Sequence, residues 1–177
     1  MTYSFSQRSL DRMNGVHPDL VAVMKLAIQR TSVDFTVLEG LRTIARQKQL
    51  VAKGASKTMN SRHLTGHAID VAPMVNGNVS WDWPLYYKLE PAIKDAAQEL
   101  GVPIEWGGDW KSFKDGPHWQ LPWNVYGKTD MTSRARSVPA PRPATPAPKP
   151  AVTKLPSTQP TPQMPAWLAA ILRFLRR

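Results

Sequence analysis

The chain has 177 residues, no cysteine and a formal net charge of +10. This length provides for one domain with a hydrophobic core, and the lack of cysteine excludes disulfides and thiolate metal ligands. The basic balance favours polyanionic partners, among them nucleic acid, anionic lipid, lipopolysaccharide and cell-wall polymer. The amino terminus does not show the apolar core of a secretory signal, so we expect synthesis in the cytoplasm.

The spacing of apolar residues predicts helices and short strands along the first two thirds of the chain. In chain order these are a helix at 17–30, a strand at 35–38, a helix at 43–53, a strand at 68–72, a helix at 84–100, and strands at 104–106 and 118–121. Pro18 suits the first turn of the first helix, whereas Gly54 and Gly101 favour helix ends. This mixture of elements predicts an α+β fold.

The composition changes at about residue 138, beyond which the chain is rich in proline. Ten of the 17 prolines lie between Pro139 and Pro165, interleaved with alanine, threonine and basic residues. Such a segment buries too little apolar surface to fold, and it favours extended polyproline II backbone. We therefore predict a folded domain at 1–137, a disordered linker at 138–165 and a separate carboxy-terminal segment at 166–177.

The carboxy-terminal segment has the pattern of an amphipathic helix with a basic side. Its apolar face consists of Trp167, Leu168, Ile171, Leu172, Phe174 and Leu175, and its basic side of Arg173, Arg176 and Arg177. A helix of this length spans about 18 Å, against roughly 30 Å for the hydrocarbon core of a bilayer. We therefore expect it to lie on an anionic membrane or on lipopolysaccharide. The alternative is a helix that docks on the main domain or forms an oligomer contact.

Two short motifs carry the residues with the clearest chemistry. The first, Ser-Arg-His-Leu-Thr-Gly-His-Ala-Ile-Asp, contains His63 and Asp70, and the second, Asp-Gly-Pro-His-Trp, contains Asp115 and His118. Two imidazoles and one carboxylate form a plausible three-ligand catalytic metal site that leaves a fourth position for water. Asp115 could accept the proton of that water. The glycine of the first motif, Gly66, allows a tight turn between His63 and Asp70.

The first motif resembles the S-x-H-x-x-G-x-A-x-D signature of the LAS zinc peptidases. This group includes D-alanyl-D-alanine carboxypeptidases and dipeptidases and the L-alanyl-D-glutamate endopeptidases of tailed phages. The second motif matches the group's acidic residue three positions before a histidine that is followed by tryptophan. Three more segments, at 15–20, 39–43 and 106–110, resemble the phage endopeptidase branch. The resemblance covers about residues 5–127.

The resemblance implies a zinc ion held by His63, Asp70 and His118, with Asp115 as the general base. It also implies a fold of the hedgehog and DD-peptidase type, with a small antiparallel sheet and flanking helices. Arg42 matches the family arginine that contacts the substrate or the transition state, and the alternative is a salt bridge to an acid such as Glu39. The family pattern leaves the position of His67 variable, so His67 is expected to be structural or to lie behind the ligands.

These observations predict a phage endolysin that cleaves the peptidoglycan stem peptide between L-alanine and D-glutamate. We expect a monomer that binds no nucleic acid and reaches the periplasm or cell wall after holin-type release. Three alternatives remain: a D,D-carboxypeptidase or dipeptidase acting on D-alanine termini, a metal-binding module without catalysis, and a basic protein whose membrane-active tail carries the function. Glutamate is common at the position of Asp115 in the D-alanine-specific members, so aspartate there favours the endopeptidase.

Overall fold

The computed structural model describes residues 2–127. The predicted linker and the predicted amphipathic helix therefore lie outside the described residues. Within 2–127, no helix is long and apolar enough to cross a membrane.

The described part of the chain forms a mixed α and β fold, which confirms the predicted fold class. Its helices are α1 (Gln7–Arg12), α2 (Pro18–Arg30), α3 (Ile44–Ala52), α4 (Trp83–Leu100) and α5 (Trp123–Tyr126). Its strands are β1 (Phe35–Glu39), β2 (Ala68–Val75), β3 (Asn78–Val79), β4 (Glu105–Trp106) and β5 (His118–Gln120). Two short 3-10 turns, Arg62–Thr65 and Gly107–Asp109, complete the list of elements.

Each helix and strand predicted from apolar spacing is present, with ends shifted by up to three residues. Three short elements were missed: α1, β3 and α5. Helices of six and four residues are too short to show a helical period of apolar residues. The hairpin between β2 and β3 had a local signal in the sequence, the pair Asn76 and Gly77. In the structure both residues adopt positive φ, at 51° and 77°. An Asn-Gly pair is typical of such two-residue turns.

The strands form one antiparallel sheet in the order β1, β2, β5, β4, and β3 pairs with the end of β2. The register places Asp70 opposite Glu39 on one neighbouring strand and opposite His118 on the other. Three ionisable side chains therefore stand in one row across β1, β2 and β5. This row is the base of the site described below.

The core lies on the face of the sheet opposite that row. Ile69 and Val71 of β2 are fully buried in the hydrophobic core, whereas Asp70 between them is only partly buried. This alternation follows from the two-residue period of a strand. Helices α2 and α4 pack against each other over the core and contribute fully buried residues such as Leu20 and Ile93. Each such side chain contributes about 1.5–3 kcal/mol through removal from water.

Candidate metal centre and active site

The three side chains predicted as metal ligands lie together in the structure. Nε2 of His63 lies 3.1 Å from Oδ1 of Asp70 and 3.2 Å from Nδ1 of His118. The third distance, between Nδ1 of His118 and Oδ1 of Asp70, is 3.2 Å. The three atoms form a nearly equilateral triangle, and this cluster could hold a metal ion.

Two neighbouring strands and a short turn bring the cluster together. Asp70 in β2 pairs with His118 in β5, so their side chains are cross-strand neighbours. His63 belongs to the 3-10 turn Arg62–Thr65, which ends at Gly66 with a φ of 70°. This left-handed backbone favours glycine. Gly66 therefore lets the chain turn from His63 into β2 within a few residues.

A backbone carbonyl determines which nitrogen of His63 carries the proton. Nδ1 of His63 lies 2.8 Å from the carbonyl oxygen of Gly40, and a carbonyl oxygen only accepts hydrogen bonds. The neutral ring therefore donates through Nδ1 and keeps a lone pair on Nε2, the atom in the cluster. The backbone N–H of Arg42 donates to the carbonyl oxygen of His63 over 3.0 Å, which ties the turn to the segment after β1.

A pair of side chains, the Glu105–Gln120 relay, orients His118 in the same way. Nε2 of His118 lies 3.0 Å from Oε1 of Gln120, and the amide nitrogen of Gln120 donates to Oε2 of Glu105 over 2.6 Å. Because a carboxylate only accepts, Gln120 presents its nitrogen to Glu105 and its oxygen to His118. The neutral ring of His118 therefore donates through Nε2 and keeps a lone pair on Nδ1, the atom in the cluster.

The carboxylate of Asp70 is shared between the cluster and Arg42. Oδ2 of Asp70 accepts a hydrogen bond from Nη2 of Arg42 at 3.2 Å, and Oδ1 belongs to the cluster. The buried Arg42 also forms an ion pair with Glu39 at 2.6 Å and donates to Oε1 of Gln47 at 2.8 Å. The salt bridge that the sequence left as an alternative for Arg42 is thus present. The same guanidinium also contacts a residue of the cluster.

Asp115 lies close to the cluster because the backbone beside it is a glycine. Its N–H donates to the carbonyl oxygen of Gly107 over 3.0 Å. A Cβ at Gly107 would lie 2.5 Å from the carbonyl oxygen of Asp115 and 3.1 Å from Cβ of His118. A side chain at this position would therefore displace both residues. The side chain of Asp115 is half-buried and lines the same groove as the cluster.

Neighbouring charges give the two aspartates different proton affinities. Burial raises the pKa of Asp70, but His63 and His118 outweigh burial and hold that pKa well below its ordinary value. Burial also raises the pKa of Asp115, and the negative charge of Asp70 raises it further, so the net shift is upward. Asp70 is held ionised, as a metal ligand must be, whereas Asp115 binds a proton more readily. Burial and these two carboxylates raise the pKa of Tyr86 to about 12.

The cluster lies in an open groove of about 760 Å³. This volume falls within the roughly 300–1,000 Å³ of typical ligand sites. The ring of Trp110 lies 5.1 Å from the ring of His118 and lines the groove next to the cluster. Lys57 and Phe113, from two different loops, also line it, and Nζ of Lys57 lies 6.0 Å from the centre of the Phe113 ring. The groove therefore offers both cationic and aromatic contacts.

Two other residues near the motifs do not belong to the cluster. The ring of His67 is fully buried, with Nδ1 2.9 Å from Oγ1 of Thr65 and its centre 5.1 Å from the ring of His17. Asp109 forms an ion pair with Lys94 at 2.8 Å. Neither side chain contributes an atom to the cluster of His63, Asp70 and His118.

The groups that orient the ligands were not predicted from the sequence. Gln120 had a usable signal, because it follows His118 by two residues in a predicted strand and must share its face of the sheet. Glu105 and the carbonyl of Gly40 had none, since their contacts depend on which strands pair and how the segment after β1 folds back.

Comparison with known proteins assigns this chain to a family. The family model described as "Phage L-alanyl-D-glutamate peptidase" matches residues 1–120. The L-alanyl-D-glutamate peptidase of Escherichia phage T5 is 34% identical over 119 residues, which cover 65% of this chain and 87% of that protein. The peptidoglycan L-alanyl-D-glutamate endopeptidase CwlK of Bacillus subtilis strain 168 is 31% identical over 137 residues, which cover 66% and 81%.

A solved structure supports the same assignment. The crystal structure of the Serratia marcescens L-Ala D-Glu endopeptidase ChiX shares 52% sequence identity with this chain and has a TM-score of 0.66. The match covers 69% of this chain and 92% of that one. The chain therefore belongs to the family of phage L-alanyl-D-glutamate peptidases, as its two motifs predicted.

Proposed function

We propose that this protein is a zinc-dependent phage endolysin that hydrolyses the bond between L-alanine and D-glutamate in the peptidoglycan stem peptide. The observation that carries the proposal is the cluster of His63, Asp70 and His118, which shares its groove with the half-buried Asp115. The names of the relatives supply the bond and the polymer: those proteins are L-alanyl-D-glutamate peptidases, and CwlK is described as acting on peptidoglycan.

The cluster fits zinc in both distance and chemistry. In tetrahedral coordination with metal–ligand bonds of about 2.0 Å, two ligand atoms lie about 3.3 Å apart. The three distances within the cluster are 3.1, 3.2 and 3.2 Å. In their neutral forms, both histidines direct a lone pair toward Oδ1 of Asp70, an arrangement that a cation stabilises. His63, Asp70 and His118 would therefore hold the zinc, with Gly40 and the Glu105–Gln120 relay behind them.

Asp115 is the proposed general base. Zinc, when bound, supplies Lewis-acid activation of water and of a substrate carbonyl. Asp115 takes the proton of the attacking water and then delivers it to the leaving amine nitrogen of D-glutamate. The raised pKa of Asp115 suits the first step, because a carboxylate with higher proton affinity accepts the proton more readily. Asp115 is not one of the three residues of the cluster and can act without giving up a ligand.

Arg42 has two proposed roles. It donates to Oδ2 of Asp70 and so orients the ligand oxygen Oδ1. It also lines the groove, where its positive charge favours the negative charge that develops on the substrate carbonyl oxygen. The ion pair with Glu39 holds the guanidinium in this position.

The test is mass spectrometry of purified peptidoglycan after digestion. We compare the zinc-loaded protein, a chelated sample, the chelated sample with zinc restored, and Asp115→Asn. The proposal predicts new alanine carboxy termini on the glycan, and matching D-glutamate amino termini, in the zinc-containing wild-type samples only. Release of D-alanine alone would identify a carboxypeptidase instead. Intact stem peptides in every sample would contradict a peptidase function.

We further propose that residues 166–177 bring the enzyme to an anionic membrane or to lipopolysaccharide. Support comes from their predicted amphipathic pattern and from the three arginines at 173, 176 and 177. Deletion of 166–177 is expected to abolish binding to anionic vesicles or lipopolysaccharide, while cleavage of soluble stem peptide continues. Unchanged vesicle and lipopolysaccharide binding would refute this role. We also propose that the protein reaches the periplasm or cell wall after holin-type release. We propose that it is a monomer, and light scattering of the full chain tests this state.

A further inference from the structure

An exposed tryptophan in the groove that contains the cluster is not explained by packing. Trp81 is 63% exposed, the largest exposure among the large hydrophobic residues of the described chain. It nevertheless lines the groove that contains His63, Asp70 and His118. A large aromatic ring left in water loses the stabilisation that burial would provide, so its place at a binding groove suggests a ligand.

The neighbouring aromatic residues show the contrast. Trp83, Tyr87 and Trp106 contact one another with ring centres 5.6–6.4 Å apart, and Trp106 stacks on the buried Trp119 at 5.5 Å. Among residues 2–127, none of the ring contacts includes Trp81. Those rings therefore have aromatic partners within the fold, although Tyr87 is also partly exposed, whereas the ring of Trp81 has no aromatic partner among the described residues and is available to another molecule.

The chemistry of the proposed substrate indicates what lies next to the scissile bond. L-Alanine is the first residue of the stem peptide, and its nitrogen is joined through a lactyl group to muramic acid. Each residue of an extended chain spans at most about 3.6 Å. One alanine and one lactyl unit thus bring the sugar within about 7 Å of the cleaved carbonyl. Any groove that binds this bond must therefore also contain, or lie beside, a pyranose ring.

We propose that Trp81 binds the muramyl sugar on the amino-terminal side of the scissile bond. This inference rests on the proposed function and adds the glycan to its substrate. The C–H bonds on one face of a pyranose ring make an apolar surface that packs flat against an indole face, and the electron-rich face of the indole attracts those C–H groups. The groove has a volume of about 760 Å³, which accommodates more than the L-alanyl-D-glutamate unit that is cut.

The test compares two soluble substrates that differ only in the glycan. One is the disaccharide tripeptide of peptidoglycan. The other is the same tripeptide without sugar, in which an acetyl group on the alanine nitrogen replaces the lactyl group and the whole disaccharide. We measure kcat/KM for wild type, Trp81→Ala, Trp81→Phe and Ile44→Ala. Ile44 is the matched control, because it is 62% exposed and does not line the groove.

Trp81→Ala is expected to lower kcat/KM for the disaccharide tripeptide about tenfold more than for the N-acetyl tripeptide, the effect of one aromatic contact. Trp81→Phe should recover most of this difference, and Ile44→Ala should leave both substrates unaffected. Equal losses on both substrates would place Trp81 against the peptide and overturn the inference. A loss of activity that Trp81→Ala shows on intact bacterial envelopes but on neither soluble substrate would also overturn the inference. Failure of the wild type to cut either substrate after alanine would instead contradict the proposed function.

Discussion

The Glu105–Gln120 relay gives the sharpest test of how the cluster binds its metal. Gln120→Ala removes the oxygen that accepts the Nε2 proton of His118 over 3.0 Å. Gln120 and His118 are buried, with exposed fractions of 8% and 7%, so water replaces this hydrogen bond poorly. Without the acceptor, the ring of His118 is free to change tautomer and orientation, and Nδ1 is no longer held ready for the metal.

The loss of such an orienting partner lowers metal affinity by about 10–100-fold. This factor corresponds to about 1.4–2.7 kcal/mol of binding free energy. Competition with a chromophoric zinc chelator measures the dissociation constant of zinc directly. The matched control is Gln98→Ala, which removes the same side chain from an exposed position on α4 and should leave zinc affinity unchanged.

The metal-free proteins must be compared as well, because Gln120→Ala also leaves Glu105 without its partner. An unsatisfied buried polar group costs about 1–3 kcal/mol of folding stability, and because Glu105 is half-buried its cost should lie at the lower end of this range. Urea unfolding of the metal-free variants measures this cost separately from zinc binding. A variant that is less stable but binds zinc with wild-type affinity would refute the reasoning, since the relay would then support the fold without orienting His118.

Three further predictions concern individual residues. Asp115→Asn should lower kcat by about 10²–10⁴-fold and leave the zinc dissociation constant unchanged; weaker zinc binding would contradict its placement outside the ligand set. Arg62→Leu should destabilise the fold by about 3 kcal/mol in urea unfolding, because the buried Arg62 donates to the carbonyl oxygens of Leu121 and Pro122; a loss below about 1 kcal/mol would refute this. Tyr86 has a pKa raised to about 12 from 10.0, so its stabilising effect is complete below pH 10 and is lost as the pH rises to 12. The stability of wild type should therefore fall by about 2 kcal/mol more than that of Tyr86→Phe between pH 10 and pH 12, and parallel pH profiles would count against this reasoning.

The sequence was sufficient for the residues of the cluster because their signals are local. His63, Gly66 and Asp70 lie within one short motif, and the left-handed φ of Gly66 is the conformation that the glycine there allowed. The apolar neighbours of Asp70 predicted a strand that buries Ile69 and Val71, and this strand is present. Helices α2 and α4 were predictable for the same reason, since each carries enough turns to show its apolar face.

The partners of Arg42 could not be predicted from the sequence. Its two expected partners, substrate and a neighbouring acid, could not be separated from the motif alone. The structure pairs Arg42 with Glu39 at 2.6 Å and also with Asp70 at 3.2 Å. The second contact spans 28 residues and exists because β1 and β2 are paired in a register that places Glu39 opposite Asp70.

The sequence by itself determined the family, the four residues of the proposed chemistry and the order of the main helices and strands. Only the tertiary structure decided how those four residues are held. The Nδ1 proton of His63 depends on the carbonyl of Gly40, 23 residues away, and the Nε2 proton of His118 depends on Gln120 and, through it, on Glu105 in β4. The physical reason is that a motif records residue types along the chain. The free lone pair of a histidine, by contrast, depends on a hydrogen-bond partner that strand pairing and loop packing bring from elsewhere.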